Sequence, residues 1–277
     1  MPRNPENQKP ENQKPKIALT IAGLDPSGGA GIIADIKTFT AFGCFATAAI
    51  ASLTFQNTTG VFGAIHQTAE SIREQVVPVL EDFEIAAVKT GMLPTREIIE
   101  ETARLVLEFN LPNFVVDPVV RSTSGFDLID DAALQSVIQK LFPLARVVTP
   151  NIPEAERITN FKIESFDDMK RAAETIFDLG ARAVLVKSGH LVHEGKTRDL
   201  LFDGERFEVF TSDFIRTNAT HGTGCTLAAG IAANLAHGKS LAEAIERAKD
   251  FVTKAIRTAP QIGRGHSPIN HSIKVES

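Results

Sequence analysis

Short apolar runs recur along this chain, each followed by a stretch with helical apolar spacing, and that alternation limits the fold more than any other feature. The first run is residues 17–22; a glycine-rich turn follows, then helical spacing over residues 32–42. Further runs at residues 45–55, 85–89, 114–120, 146–149 and 183–187 are separated by helical stretches at 70–80, 96–109, 132–142 and 168–179. Runs apolar on both faces suit parallel strands, and helical crossovers between them cover both sides of the sheet. The rhythm breaks at residues 200–202 and 207–210, which flank Asp203-Gly204 and predict an antiparallel hairpin at a sheet edge. Two helical stretches, 226–236 and 241–255, close the pattern. In such sheets ligands gather beyond the carboxyl ends of the strands, where the motifs below fall.

A chain of 277 residues that is 43% hydrophobic can bury a large α/β core. Its 29 basic and 34 acidic side chains give a net charge of −5 with no long basic run, which favours small-molecule partners over nucleic acid. Cys44 and Cys225 are the two cysteines, too few for a disulfide framework and suited to a reducing cytoplasm. Residues 1–15 hold a tandem Glu-Asn-Gln-Lys-Pro repeat with nothing apolar to bury, so a disordered tail is expected ahead of one domain over residues 16–277. That tail lacks the apolar core of a signal peptide, and no later segment has the roughly 18 apolar residues of a membrane span.

The motif His221-Gly222-Thr223-Gly224-Cys225 precedes a strongly apolar helix. Two glycines let backbone N–H groups converge where the helix dipole adds positive potential, a cradle for a transferring phosphoryl group; the pentapeptide alone fits an ordinary glycine-rich helix start as well. Cys225 reads either as a small buried apolar residue or, with its pKa lowered by the helix N-terminus, as a base for a substrate hydroxyl. The first glycine-rich turn, Gly23-Leu24-Asp25-Pro26-Ser27-Gly28-Gly29-Ala30-Gly31, has neither dinucleotide nor Walker spacing. It can bring backbone close to a planar ligand, and Asp35, a helical turn further on, either accepts from that ligand or stands solvated on a helix face.

Asn151-Ile152-Pro153-Glu154 carries a helix-capping pattern, and Glu154 with Asp117 also offers the hard oxygens Mg²⁺ prefers. Lys187, at the end of an apolar run, either reaches solvent along its stem or meets nucleotide phosphates. The seven histidines form no His-x-x-x-His pair, no Cys-x-x-Cys occurs, and Gly-x-Ser-x-Gly is absent, which disfavours zinc and nucleophilic-serine chemistry.

Taken in order, residues 22–31, Gln56-Asn57-Thr58, Lys89-Thr90-Gly91-Met92, Asp117-Pro118-Val119, Thr149-Pro150-Asn151-Ile152-Pro153-Glu154 and the 221–225 motif resemble the hydroxymethylpyrimidine/phosphomethylpyrimidine kinases of the ribokinase superfamily. The resemblance runs from about Lys16 to His271. It implies a three-layer α/β/α ribokinase-like fold with a mostly parallel central sheet, a homodimer, and two ATP-dependent phosphorylations in thiamine biosynthesis or salvage. By the same resemblance Gly23, Asp35, Gln56, Met92 and Val119 line the pyrimidine pocket, and Asp117 and Glu154 organise Mg²⁺. Lys187 and Asn151 then serve the nucleotide, Gly222, Thr223 and Gly224 form the anion hole, and Cys225 stands at the catalytic-base position.

Two segments depart from the family pattern. Residues 119–126 carry Arg121 and Phe126 where relatives commonly have Met, a small residue and an acid after Ser-Gly; Ser267 stands where relatives often have Gly. Two rivals remain at this level: a pyridoxal or pyridoxine kinase, which handles another planar heterocycle bearing a hydroxymethyl group, and a pyrimidine-binding sensor without turnover.

Overall fold

The apolar runs assemble into one nine-stranded sheet in the computed structural model, which describes residues 14–120, 125, 127–189, 191–273 and 275. Strands β1 (Ile17–Leu24), β2 (Phe45–Asn57), β3 (Gly60–His66), β4 (Ile85–Thr90), β5 (Phe114–Val116), β6 (Val147–Val148), β7 (Val184–Val186), β8 (Lys196–Phe202) and β9 (Phe207–Asp213) stand in the order β3-β2-β1-β4-β5-β6-β7-β8-β9. Strands β2, β1, β4, β5, β6 and β7 are mutually parallel, while β3 at one edge and β8 with β9 at the other are antiparallel. The expected hairpin at Asp203-Gly204 is present as β8–β9. A second hairpin, β2–β3, was absent from the sequence reading, and the 114–120 run ends as strand at Val116.

Among the described residues eight helices pack on the sheet: α1 (Gly31–Ala41), α2 (Ala69–Asp82), α3 (Arg96–Glu108), α4 (Asp131–Ser136), α5 (Ile152–Thr159), α6 (Phe166–Asp178), α7 (Thr223–Ala236) and α8 (Leu241–Arg257). A π-helical turn, Val137–Leu141, continues α4. The pleat divides the core by strand position. Leu19, Ile21, Val88, Val116, Val148 and Val184 pack with α2–α6, whereas Ala18, Ala87, Val115, Val147 and Ala183 pack with α1, α7 and α8. The result is the expected α/β/α layering. Small residues on the second face let α7 lie close to the sheet, and every α7 residue from Thr226 to Ala236 is buried. That largely apolar helix is therefore fixed in place, and its first turn is delivered to the carboxyl edge of the sheet. The helix starts at Thr223, three residues earlier than its apolar run, with Gly222 as the N-cap.

Candidate active site

A cleft of about 1130 Å³ runs along the carboxyl ends of the strands. Loops after β1, β4, β5, β6 and β7 and the first turn of α7 all open onto it. Gly23, Gln56, Met92 and Val119 line one part of its wall. Asn151, Glu154, Lys187 and Asp117 line another, and Gly222, Thr223, Gly224 and Cys225 lie along the same cleft. Every one of these residues singled out from sequence is thus brought to a common cavity; Arg121 and Phe126 lie outside the described residues.

Asp35 is the exception, for a physical reason. Its side chain is wholly buried behind the wall, where Oδ1 and Oδ2 accept from Lys89 Nζ at 3.0 and 2.8 Å and Oδ2 also accepts from the Thr20 hydroxyl at 2.7 Å. The carboxylate is engaged by the protein, which corrects the reading of it as a solvated surface acid. Burial drives the Asp35 carboxyl up, against the pull of Lys89. Burial likewise opposes the Lys89 charge, yet Asp35, with Cys225 and Asp117 nearby, outweighs it and holds the lysine above its ordinary value. With both oxygens in reach of one ammonium, the contact is an ion pair. Lys89 itself borders the cleft without exposing surface. A side chain on Gly91 would place its Cβ 2.8 Å from Lys89 Nζ, so the glycine makes room for the ammonium.

A second buried pair stands nearer the α7 N-terminus. Lys187 Nζ donates to Asp117 Oδ1 at 2.9 Å, and the Thr149 hydroxyl donates to the same oxygen at 3.1 Å. Burial opposes the Lys187 charge, but Asp117 and Glu154 outweigh it and raise its pKa. The place a Gly224 Cβ would take lies 3.4 Å from Lys187 Nζ and 3.9 Å from Asp117 Oδ2. The helix start therefore meets the charged wall directly. Asn151 and Glu154 form a reciprocal capping box, the Asn151 amide donating to Glu154 Oε2 at 2.8 Å and the Glu154 amide to Asn151 Oδ1 at 2.9 Å. Capping and cleft-lining are thus the same geometry, since the box holds Glu154 in the wall. Burial pushes the Glu154 carboxyl up to about 7, Lys187 opposing and Asp117 adding to the rise.

Among the described residues no three His, Cys, Asp or Glu side chains converge as a metal cage. Asp117 Oδ1 is taken by Lys187 and Thr149. Two carboxylates with hard oxygens, one of them partly neutralised, fit a Mg²⁺ that arrives with ligand oxygens and keeps its waters.

Cys225 departs from expectation. Burial pushes its thiol up to about 11; Lys89 pulls the other way, and Asp35 and Asp117 add to the rise. The helix start does not lower it, because desolvation of the thiolate outweighs a few partial charges. Sequence reasoning quoted Lys89 in a motif without giving it a role, and missed the contact between Asp25 and His221, whose facing atoms are 2.7 Å apart. A lysine inside an apolar strand was the available signal for the first; nothing local signalled the second.

The family model for phosphomethylpyrimidine kinase matches residues 25–270. A hydroxymethylpyrimidine/phosphomethylpyrimidine kinase of Bacillus subtilis is 45% identical over 254 residues, 92% of this chain and 94% of that one. The thiamine biosynthesis bifunctional protein ThiED of Geobacter sulfurreducens is 46% identical over 258 residues, covering 93% of this chain and 52% of the relative. Among solved structures, the pyridoxal kinase of Staphylococcus aureus in complex with AMP-PCP and pyridoxal superposes with a TM-score of 0.86 at 36% identity, covering 94% of each chain.

Proposed function

The chain belongs to the phosphomethylpyrimidine kinase family, and from that premise we propose that it carries the ATP γ-phosphoryl group to the hydroxymethyl oxygen of 4-amino-5-hydroxymethyl-2-methylpyrimidine. The monophosphate is then phosphorylated to the diphosphate, in thiamine salvage or in thiamine biosynthesis, the latter being the setting named for the Geobacter relative. One observation carries the reading: the α7 start abuts Lys187 and Asp117 along a cleft that also holds Gly23, Gln56 and Met92.

The pyrimidine lies against Gly23, Met92 and Val119, with the Gln56 amide donating to and accepting from the ring. Nucleotide phosphates lie towards Lys187 and Asn151. The amides of Gly222, Thr223 and Gly224 offset the charge that develops on the transferring group, and positioning supplies much of the rest. Asp117 and Glu154 would hold Mg²⁺, which when bound would neutralise phosphate charge. As the substrate oxygen bonds to the γ-phosphorus and the bond to ADP breaks, the hydroxyl proton passes to Cys225 in its thiolate form, which then loses it to solvent.

The kinase unit spans residues 16–277 behind a tail over residues 1–15, and its setting is cytoplasmic; no helix among the described residues is long and apolar enough to cross a membrane. Residues 1–13 lie outside the described residues. A homodimer is supported by the apolar side chains of Phe55, Phe62 and Ile65, exposed on the β2–β3 edge.

The Staphylococcus pyridoxal kinase, with the same architecture, gives the second reading, in which pyridoxal is the acceptor. ADP release measured with the pyrimidine alcohol, its monophosphate and pyridoxal separates the two. Turnover of both pyrimidines is the expected result; a strong preference for pyridoxal would overturn the acceptor, and binding without ADP release would leave a sensor.

A further inference from the structure

The loop after β1 and the start of α7 are joined by a contact that the phosphoryl transfer described above does not use. Asp25 organises the first of these loops. Its Oδ1 accepts from the Ser27 amide at 2.8 Å and hydroxyl at 2.7 Å, and its Oδ2 from the Gly29 and Ala30 amides at 3.2 and 2.9 Å. The same Oδ2 meets Nε2 of His221, the residue just before the α7 N-cap, at 2.7 Å. Burial opposes the charge on Asp25, but the hydrogen bonds from His221 and Ser27 outweigh it and hold the carboxyl below its ordinary value. An ionised carboxylate only accepts, so the imidazole N–H donates.

The fit around the pair is close. A Cβ on Gly29 would lie 2.4 Å from His221 Cδ2, and one on Gly222 would lie 1.8 Å from the Gly29 carbonyl oxygen. Behind the ring, the His221 amide donates to the Ser267 carbonyl at 3.3 Å. The strap leading to Ser267 is in turn tied to the tip of the β2–β3 hairpin: the Arg264 and Gly265 amides donate to the Thr58 hydroxyl at 3.2 and 3.3 Å, and the His266 amide to the Thr58 carbonyl at 2.8 Å.

These pieces have different tasks. The end of β1 with the loop after it and β2 bring Gly23, Ala30, Thr54 and Gln56 to the cleft, while the α7 start brings Gly222 to Gly224. Asp25 already satisfies amides of its own loop, so local loop closure does not require a charge-assisted bond to a residue 196 positions away. We propose that the Asp25–His221 pair is a positioning device that couples the acceptor end of the cleft to the phosphate cradle, so that each ligand tightens the binding of the other. The assignment of ligands to the two ends rests on the functional reading above. In this role His221 touches neither ligand; it acts through the Gly222 backbone, where a shift of about 1 Å costs about a hundredfold in rate.

Calorimetric titration of the full chain with AMP-PCP, with and without saturating hydroxymethylpyrimidine, tests the coupling, alongside ADP-release assays. In the wild type the pyrimidine tightens the nucleotide analogue at least ~5-fold, and the reciprocal titration returns the same factor. His221→Ala brings that factor below ~2 and lowers kcat at least ~30-fold, because only the linkage between the loops is removed. His221→Gln, which sets an uncharged N–H donor near the Nε2 position, keeps the factor within ~2-fold of wild type. Thermal melts report folding; should the alanine variant not fold, His221→Asn, polar but too short to reach Oδ2, gives the same loss. A wild-type factor below ~2, an alanine variant that keeps the wild-type factor, or a glutamine variant no better than alanine overturns the proposal. Turnover of pyridoxal in place of the pyrimidine would remove the functional reading instead, and the same titrations with pyridoxal would then decide the pair.

Discussion

Gly222→Ala is a direct probe of the phosphate cradle, because its effect can be worked out from two backbone atoms. Gly222 has φ +86°, and an added Cβ would sit 1.8 Å from the Gly29 carbonyl oxygen where ordinary contact begins at 3.4 Å, a shortfall of 1.6 Å. Both partners are main chain, so no side chain can swing aside and the two loops must separate. The left-handed conformation alone costs an L-residue about 1–2 kcal/mol. Displacing reacting groups by about 1 Å costs about 10²-fold, and losing one anion-hole donor about 10²–10³-fold. The expected result is a kcat lower by about 10²–10³, or about 3–4 kcal/mol of barrier, with the pyrimidine KM changed far less. Gly238→Ala supplies the control. Gly238 also has positive φ (+80°), at the other end of the same helix, with nothing within 4 Å of an added Cβ; it should lose about 1 kcal/mol of stability and keep its activity. ADP-release kinetics and thermal melts on both variants complete the test. Equal kcat values for the two alanine variants would refute the view that the close approach of Gly29 to Gly222 sets the cradle.

The buried thiol predicts a pH dependence. With Cys225 pushed up to about 11, its thiolate population grows about tenfold per pH unit through neutral and alkaline pH, so kcat for the alcohol substrate should climb from pH 7 to 9 and Cys225→Ala should abolish the climb; a flat wild-type profile excludes the thiolate as base. Lys89→Met leaves Asp35 charged or protonated in a site with no exposure and should cost about 3–5 kcal/mol, seen as a lower urea midpoint. Adding Asp35→Leu should recover most of that loss, and an unchanged midpoint in the single variant would show that the pair contributes nothing.

Alternation of apolar runs was sufficient to give the layering, because residues two apart share a face and each face of this sheet holds its own cluster. Asp203-Gly204 betrayed one hairpin through its turn chemistry. The other turns at Thr58-Thr59, which lacks an Asn-Gly or Asp-Gly pair, and so β3 passed unseen. Site residues were legible where they sit in short ordered motifs at strand ends. The burial of Asp35 was not legible because its partner, Lys89, is 54 positions away on β4, and its orientation is decided by that partner. Cys225 was misjudged in its ionisation for a related reason: the helix start is local and visible, whereas the desolvation that outweighs it depends on how the whole site packs.

The tie between Thr58 and residues 264–266, and between His221 and Ser267, also bears on when this molecule becomes an enzyme. A chain made from its amino end has β1 to β7 available long before the strap exists, and can bury much of its apolar surface by then. The cradle is braced only when the segment beyond α8 arrives to pin His221 from behind. Catalytic competence is thus gained last in synthesis, so a nascent chain halted just beyond α8 would hold a covered sheet and an unbraced site.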